Sequence, residues 1–305
     1  MRILIVRLGA MGDVIHTLPA AAALRRRYPG AHVAWAVEPR WAALLEGNAA
    51  IDEVVPLNRR QWGSIRAAWR QLRRERFDVA MDFQGLIKSA LTARASGAKR
   101  IVGYDRSQVR EWPAAMFYTE TRRVTAAHVV ERHLELAGAA GERAEFALAE
   151  GKAEGNLPAE PFVLASPMAG WVSKEWPLER YGELAKLVRM PLVLNGHPAA
   201  EGRLRSVAGT QTHISSIAGL IDATRRARAV IGVDSGPLHL AAALGKPGVA
   251  LYGPTDPGRN GPYGGTMRVL RDAGAVTSYK RLGAADASML AITPAAVAAE
   301  LEAVL

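Results

Sequence analysis

The chain has no cysteine, which excludes a disulfide scaffold, a thiolate metal site and a cysteine nucleophile together. It also lacks any uninterrupted apolar run near the roughly 20 residues that a membrane-spanning helix needs. Its start, MRILIVRLG, is broken early by charge and glycine, so it reads as a first strand of a cytoplasmic protein rather than a signal peptide. The G-x-x-x-x-G-K-[ST] phosphate loop and the G-x-S-x-G nucleophile elbow are missing, which sets P-loop and hydrolase readings back. The seven histidines are scattered, with no H-x-x-x-H or clustered carboxylate spacing, and a resident metal is not expected.

What is present describes an ordinary globular chain: 305 residues, 49% hydrophobic and 22% charged, a length that suggests two domains. Positive charge is in excess, with 39 Lys and Arg against 29 Asp and Glu, a net of +10. Residues 1–150 hold 23 basic and 16 acidic residues (+7), and residues 151–305 hold 16 and 13 (+3). The front half is therefore the place to look for an anionic partner.

Short aliphatic runs alternate with stretches of helical period, the pattern of parallel sheets covered by helices. Strands are expected at 3–6, 32–37, 53–56, 79–82 and 100–103, with helices at 14–27, 40–46, 64–75 and 86–96. Residues 142–161 lack a clear period and read as a linker. The pattern restarts with strands at 162–165, 191–195, 230–233 and 248–252 and helices at 178–189, 199–208, 219–227, 237–244 and 293–305. The expected architecture is two doubly wound α/β domains, 1–150 and 151–305, facing a cleft at the carboxyl ends of their strands. The last helix either closes the second domain or packs back on the first.

Three segments can carry chemistry. In LGAMGDVIHTLPA, Gly9 and Gly12 allow a tight strand-to-helix turn, and Asp13 reads either as a helix N-cap or as a base at the strand end. Only G-x-x-G is present there, although Glu38, after the second strand, could imitate the ribose-binding acid of a dinucleotide site. In MAGWVSKEWP (168–177), Ala169 and Gly170 could offer backbone N–H groups and Lys174 a point charge to a phosphate; a solvated lysine is the plainer reading. In the third segment, 231–265, a buried strand ends at Asp234, Ser235 and Gly236 open a helix whose dipole favours an anion, and His239 lies one turn in. His239 could equally pack a helix, and Asp234 could cap one. Arg66, Arg70, Arg73 and Arg74 recur at helical spacing and read as a solvated face. Arg59 and Arg60 lie beyond the third strand beside Trp62, and with Arg110 could grip carboxylate or phosphate.

MGDVIHTLPA (11–20), FDVAMDFQGLIKSA (77–90), SKEWP (173–177) and DSGPLHLAAALGKPGVALYGPTDPG (234–258) together resemble the ADP-heptose:lipopolysaccharide heptosyltransferases of glycosyltransferase family 9, closest to the heptosyltransferase I branch. The resemblance runs through nearly the whole chain. It implies a GT-B fold of two Rossmann-like domains, an N-terminal one for the acceptor and a C-terminal one for the nucleotide sugar. It further implies inverting, metal-independent transfer of heptose from ADP-heptose to Kdo of the lipopolysaccharide inner core (Kdo2-lipid A). Carried over residue by residue, Asp13 matches the general base and Lys174 the lysine that neutralises the leaving diphosphate. Asp234, Ser235, Gly236 and His239 match the donor segment, and Glu201 matches the acid that holds the ribose. Arg59, Arg60 and Arg110 match basic positions that grip the anionic acceptor. Hydroxyl residues often stand four and five places before the lysine, where this chain has Gly170 and Ala169, and Ser215 replaces a methionine near the base. The implied partners are a nucleotide-sugar donor, an anionic glycolipid and the cytoplasmic face of the inner membrane, with no cofactor, no nucleic acid and a monomeric state. The rivals are another family 9 transferase, such as heptosyltransferase II or one with a different donor, and a non-catalytic anion- or nucleic-acid-binding protein. For the latter the arginines lack interleaved aromatics beyond Trp62 and Trp69.

Overall fold

In a computed structural model, residues 1–278 and 280–305 are described, and the chain divides into two units, Met1–Ala149 and Glu150–Leu305. The first unit holds the strands β1 (Arg2–Val6), β2 (His32–Val37), β3 (Glu53–Pro56), β4 (Val79–Asp82), β5 (Arg100–Tyr104) and β6 (Glu120–Arg122). They form one parallel sheet in the order β3-β2-β1-β4-β5-β6. The second unit holds β7 (Val163–Ser166), β8 (Leu192–Gly196), β9 (Gln211–Ile214), β10 (Ala229–Val233), β11 (Gly248–Tyr252) and β12 (Met267–Arg271). Its sheet runs β12-β11-β10-β7-β8-β9, again all parallel.

The central strands are apolar on both faces because helices cover both: Ile3, Leu4, Ile5 and Val6 are fully buried, as are Ala229, Ile231 and Val233. Each unit thus has the Rossmann-like order, in which the winding reverses beside its first strand. The loops after β1 and β4 diverge there, as do those after β7 and β10. The two-domain α/β expectation is the observed fold.

Three strands escape the periodicity: β6, β9 and β12. Each lies at a sheet edge, where one face of the pairing is open and a continuous apolar run is not required. The helix Val129–Ala137, which packs on the helix Met11–Arg27, also carries no expectation above. The stretch expected as helix at 40–46 is the 3-10 turn Pro39–Leu44. The closing helix Pro294–Glu302 packs on the helix Leu178–Ala185 and on β11, inside its own unit.

The irregular connection is tied down on either side of the division. Arg26 pairs with Glu142 at 2.8 Å and Glu145 at 2.9 Å, and Asn48 Nδ2 donates to the Ala147 carbonyl at 2.7 Å. Beyond it, Lys152 N–H donates to the Ala218 carbonyl at 3.0 Å and Glu154 accepts from Ser216 N–H and Oγ, both at 2.7 Å.

Gly103 in β5 illustrates how packing fixes the first unit. A Cβ there would fall within the Tyr118 ring, whose hydroxyl donates to Asp82 at 2.7 Å. Gly103→Ala is expected to cost on the order of 1–3 kcal/mol through overpacking, read as a lower urea midpoint. Gly202→Ala, at an exposed helical position with open space, is expected to stabilise by about 0.4–1 kcal/mol. Equal midpoints for the two variants would contradict this packing account.

Candidate active site

At the carboxyl end of β1 the chain passes through Arg7 and Gly9 into the helix Met11–Arg27. A Cβ at Gly9 would press on the Trp41 ring, so only glycine allows this turn. Asp13 is not the N-cap: Ala10 is, and its N–H donates to Asp13 Oδ2 at 3.1 Å. The other oxygen, Oδ1, pairs with buried Arg7 at 2.8 Å, while the Asp13 side chain stays 33% exposed. Burial pushes this carboxyl up, but the Arg7 charge, the Ala10 N–H and the Arg110 charge together hold it below the usual carboxylate range. Burial and Arg7 push the neighbouring His133 imidazole down to about 3, so it is neutral at pH 7. Asp13 is therefore an ionised base with one open side.

The FDVAMDFQGLIKSA segment supports that turn. Asp82, fully buried at the end of β4, accepts from Gln84 N–H (2.8 Å), Gly85 N–H (3.3 Å), Ser89 Oγ (2.8 Å) and Tyr118 OH (2.7 Å). Burial dominates and raises its pKa despite these donors. Gln84 Oε1 then accepts from Leu8 N–H at 3.0 Å, and Arg7 donates to the Phe83 carbonyl. The motif is a scaffold for Arg7, and through Arg7 for Asp13.

Of the three arginines expected to grip an acceptor, Arg59 pairs with Glu38 at 2.5 Å, and Arg40 holds the same carboxylate at 2.8 Å. Glu38 is thus engaged by two arginines and is not a free ribose-binding acid. Arg60 and Arg110 are exposed and have no carboxylate partner among the described residues. Arg110 N–H donates to the Gly85 carbonyl at 3.1 Å, which places it on the Asp82 loop. Lys88, which sequence reading passed over, joins them: burial and the charges of Arg59 and Arg110 lower its pKa.

In the second unit, the loops after β7 and β10 bring Lys174, Asp234 and His239 together. Lys174 Nζ donates to Asp234 Oδ2 at 3.0 Å, and His239 Nε2 lies 3.4 Å from Asp234 Oδ1. Burial alone would raise the Asp234 pKa, but His239 and Lys174 outweigh it and hold the group far below the usual range. Ser235 is the residue that precedes the helix Gly236–Ala243, so it and Gly236 stand at that helix's positive end. Lys174 itself is held by its neighbours in SKEWP. Trp176 is buried, donates to the Ile292 carbonyl at 3.0 Å and packs edge-on against Tyr181 at 4.9 Å. Lys174 Nζ and the Arg281 guanidinium lie 5.0 and 5.1 Å from the Trp171 ring centre.

One expectation needs correction. Ala169 N–H is not available to a phosphate, because it donates to Glu175 Oε1 at 3.1 Å; Gly170 remains open. Glu201 lies at the start of the helix Glu201–Arg205 with its carboxylate paired to Arg205 at 2.7 Å, and it makes no contact with the lysine cluster among the described interactions. A set of buried hydroxyls stands beside this cluster, of which sequence reading singled out Ser235 and passed over Ser166 and Ser173. Ser166, Ser173, Ser235 and Thr255 each carry a buried Oγ with no hydrogen-bond partner among the described residues. Such groups are costly unless something polar meets them. Ser166 ends β7, Ser235 and Thr255 lie two and three residues past β10 and β11, and Ser173 sits in the turn beside Lys174. The one His/Glu group close enough to share an ion among the described residues, His32, Glu53 and Glu75, lies away from this edge at the starts of β2 and β3. Its members are engaged by Arg2, Gln71 and one another.

Comparison with known proteins shows the family. The model of glycosyltransferase family 9 (heptosyltransferase) matches residues 65–282. The chain is 34% identical over 293 residues to lipopolysaccharide heptosyltransferase 1 of Pseudomonas aeruginosa, covering 87% of this chain and 82% of the relative. It is also 34% identical over 302 residues to the Escherichia coli K12 heptosyltransferase 1, covering 89% and 93%. The solved E. coli heptosyltransferase WaaC with ADP aligns at a TM-score of 0.85 and 29% identity over 100% of both chains. The chain belongs to glycosyltransferase family 9, the heptosyltransferases, and is a glycosyltransferase similar to heptosyltransferase 1 of lipopolysaccharide synthesis.

Proposed function

We propose that this enzyme transfers L-glycero-D-manno-heptose from ADP-heptose to a Kdo residue of the lipopolysaccharide inner core, with inversion and without a metal. The observation that carries this reading is the cluster of Lys174, Asp234 and His239 beside unpartnered Ser235, Ser173 and Thr255 hydroxyls. A diphosphate supplies the acceptor oxygens these donors lack, and the helix end at Gly236 favours its charge. The relative WaaC has been solved with ADP and with ADP-2-deoxy-2-fluoro heptose, which supports an adenine nucleotide sugar as the donor. The enzyme would act at the cytoplasmic face of the inner membrane, and no described helix is long and apolar enough to cross it.

The chemistry is one displacement at the anomeric carbon. The acceptor hydroxyl oxygen forms the new bond to that carbon as the bond to the diphosphate oxygen breaks, which inverts the centre. Asp13 takes the hydroxyl proton. It is ionised at neutral pH and so free to accept this proton, which the hydroxyl releases as the new bond forms. Lys174 stabilises charge on the departing diphosphate, the role that a divalent ion would otherwise fill. Arg60 and Arg110, without carboxylate partners, are suited to the anionic acceptor, and Glu201 to the ribose once Arg205 releases it.

Asp13→Asn should lower kcat on the order of 10²–10⁴ in a protein that still folds, with a lower unfolding midpoint because buried Arg7 loses its charge partner, and turnover near wild type would remove Asp13 from the role. Because Asp13 ionises below the usual range, the acid limb of the rate profile should fall below about pH 4, and a limb near pH 6 would point to another base. Calorimetry with ADP-heptose, ADP-glucose, UDP-glucose and NAD should show binding of the ADP-sugars that Lys174→Ala weakens at least about tenfold. Preference for UDP-glucose or NAD would overturn the donor assignment.

A further inference from the structure

We propose that the carboxyl edge of the first sheet is also a docking face for an anionic bilayer. Three helical elements on this unit, Trp62–Arg74, Ile87–Ala95 and Trp112–Phe117, pack side by side, the middle one touching both others. In a parallel sheet, helices begin where strands end. The first residues of these three elements, Trp62, Ile87 and Trp112, therefore line one edge, and all three are large, apolar and exposed. Trp62 is 74% exposed, Trp112 55%, and Met116, one turn further on, 73%.

A row of exposed apolar groups at a single edge differs from apolar residues scattered singly over a surface. Its surroundings are cationic. Arg66 and Arg70 continue from Trp62 at helical spacing on the exposed face, opposite buried Ala68 and Leu72. The Arg106 guanidinium stacks over the Trp112 ring at 4.8 Å. Arg60, Arg66, Arg70, Arg106 and Arg110 have no carboxylate partner among the described residues, whereas the nearby acids are engaged: Glu38 by Arg40 and Arg59, and Glu111 by the Ile87 N–H at 2.8 Å. Tryptophan at the headgroup level with arginine against anionic lipid is the composition that interfacial binding requires. The same edge carries Asp13, so a bilayer here presents a lipid-linked sugar to the base. That motive rests on the glycolipid acceptor proposed above; the surface itself does not.

Flotation with vesicles of phosphatidylethanolamine and phosphatidylglycerol tests it, against vesicles of phosphatidylcholine alone. Wild type should bind the anionic vesicles, lose binding as salt is raised, and bind phosphatidylcholine at least about tenfold more weakly. Trp62→Ser with Trp112→Ser should cut anionic binding at least about tenfold while transfer to a de-acylated, water-soluble acceptor is kept. Arg66→Glu with Arg70→Glu should lose vesicle binding as well, and serves if the tryptophan pair fails to fold. Equal binding by wild type and both variants, or a loss of soluble-acceptor transfer in the folded tryptophan variant, overturns the docking face. So does equally tight binding of a random oligonucleotide that both variant pairs weaken alike. Vesicle binding by a protein that does not bind ADP-heptose leaves the face standing and removes the transferase reading instead.

Discussion

In each sheet the winding reverses beside the first strand, between β1 and β4 and between β7 and β10. Two adjacent loops must then leave in opposite directions, and the backbone at their roots cannot be covered by either helix layer. Polar side chains on both loops can meet there without being sealed in apolar surroundings. Arg7 and Asp13 follow β1, and the Asp82 network closes β4; Lys174 follows β7, and Asp234 follows β10. Lys174 meets Asp234 across the second reversal, and Phe83 and Gln84 hold Arg7 and Leu8 across the first, while the Arg7–Asp13 and Asp234–His239 pairs each form within the segment that follows one strand.

The same edge holds two carboxylates with opposite behaviour, and the difference lies in what faces them. Asp82 is met by neutral donors, two N–H groups and two hydroxyls, and burial still raises its pKa. Asp13 is met by the Arg7 cation at 2.8 Å, which helps outweigh burial. A full positive charge compensates a desolvated carboxylate better than several dipoles do. One carboxylate is therefore suited to holding loops in place, and the other to remaining ionised beside a substrate.

Much of this was legible in the residues. Buried parallel strands need continuous apolar runs, so the eight interior strands were visible, and of the four edge strands only β3, with its Val54-Val55 pair, was; β6, β9 and β12, with exposed or half-exposed residues, were not. Glycine and charge just past strand ends marked Asp13, Lys174 and Asp234 as candidates, and the motifs shared with a known family, not position alone, set them apart from helix caps and a solvated lysine. The partners were hidden. That Arg7 faces Asp13, that Glu175 consumes the Ala169 N–H, and that Arg205 covers Glu201 depend on side-chain directions no spacing encodes. Unpartnered Ser166 and Ser173 were hidden for a different reason, since a hydroxyl is unremarked until its surroundings are known.

The SKEWP segment shows why a short motif can identify a family better than the group that does the chemistry. Lys174 alone is a common surface residue. Its neighbours are committed to holding it: Ser173 supplies its carbonyl to Asp286 N–H at 3.1 Å, Glu175 ties back the preceding loop, and Trp176 fills the core beneath. Pro177 then starts the helix Leu178–Ala185 with a fixed backbone angle. The cation is thereby kept against Asp234 in a site where both side chains are mostly buried. Removing only one member of such a pair leaves an uncompensated buried charge, costing about 3–5 kcal/mol, whereas replacing both with apolar groups is far milder. The lysine is therefore bound energetically to a carboxylate 60 residues away in the sequence, and neither can be exchanged alone without that cost.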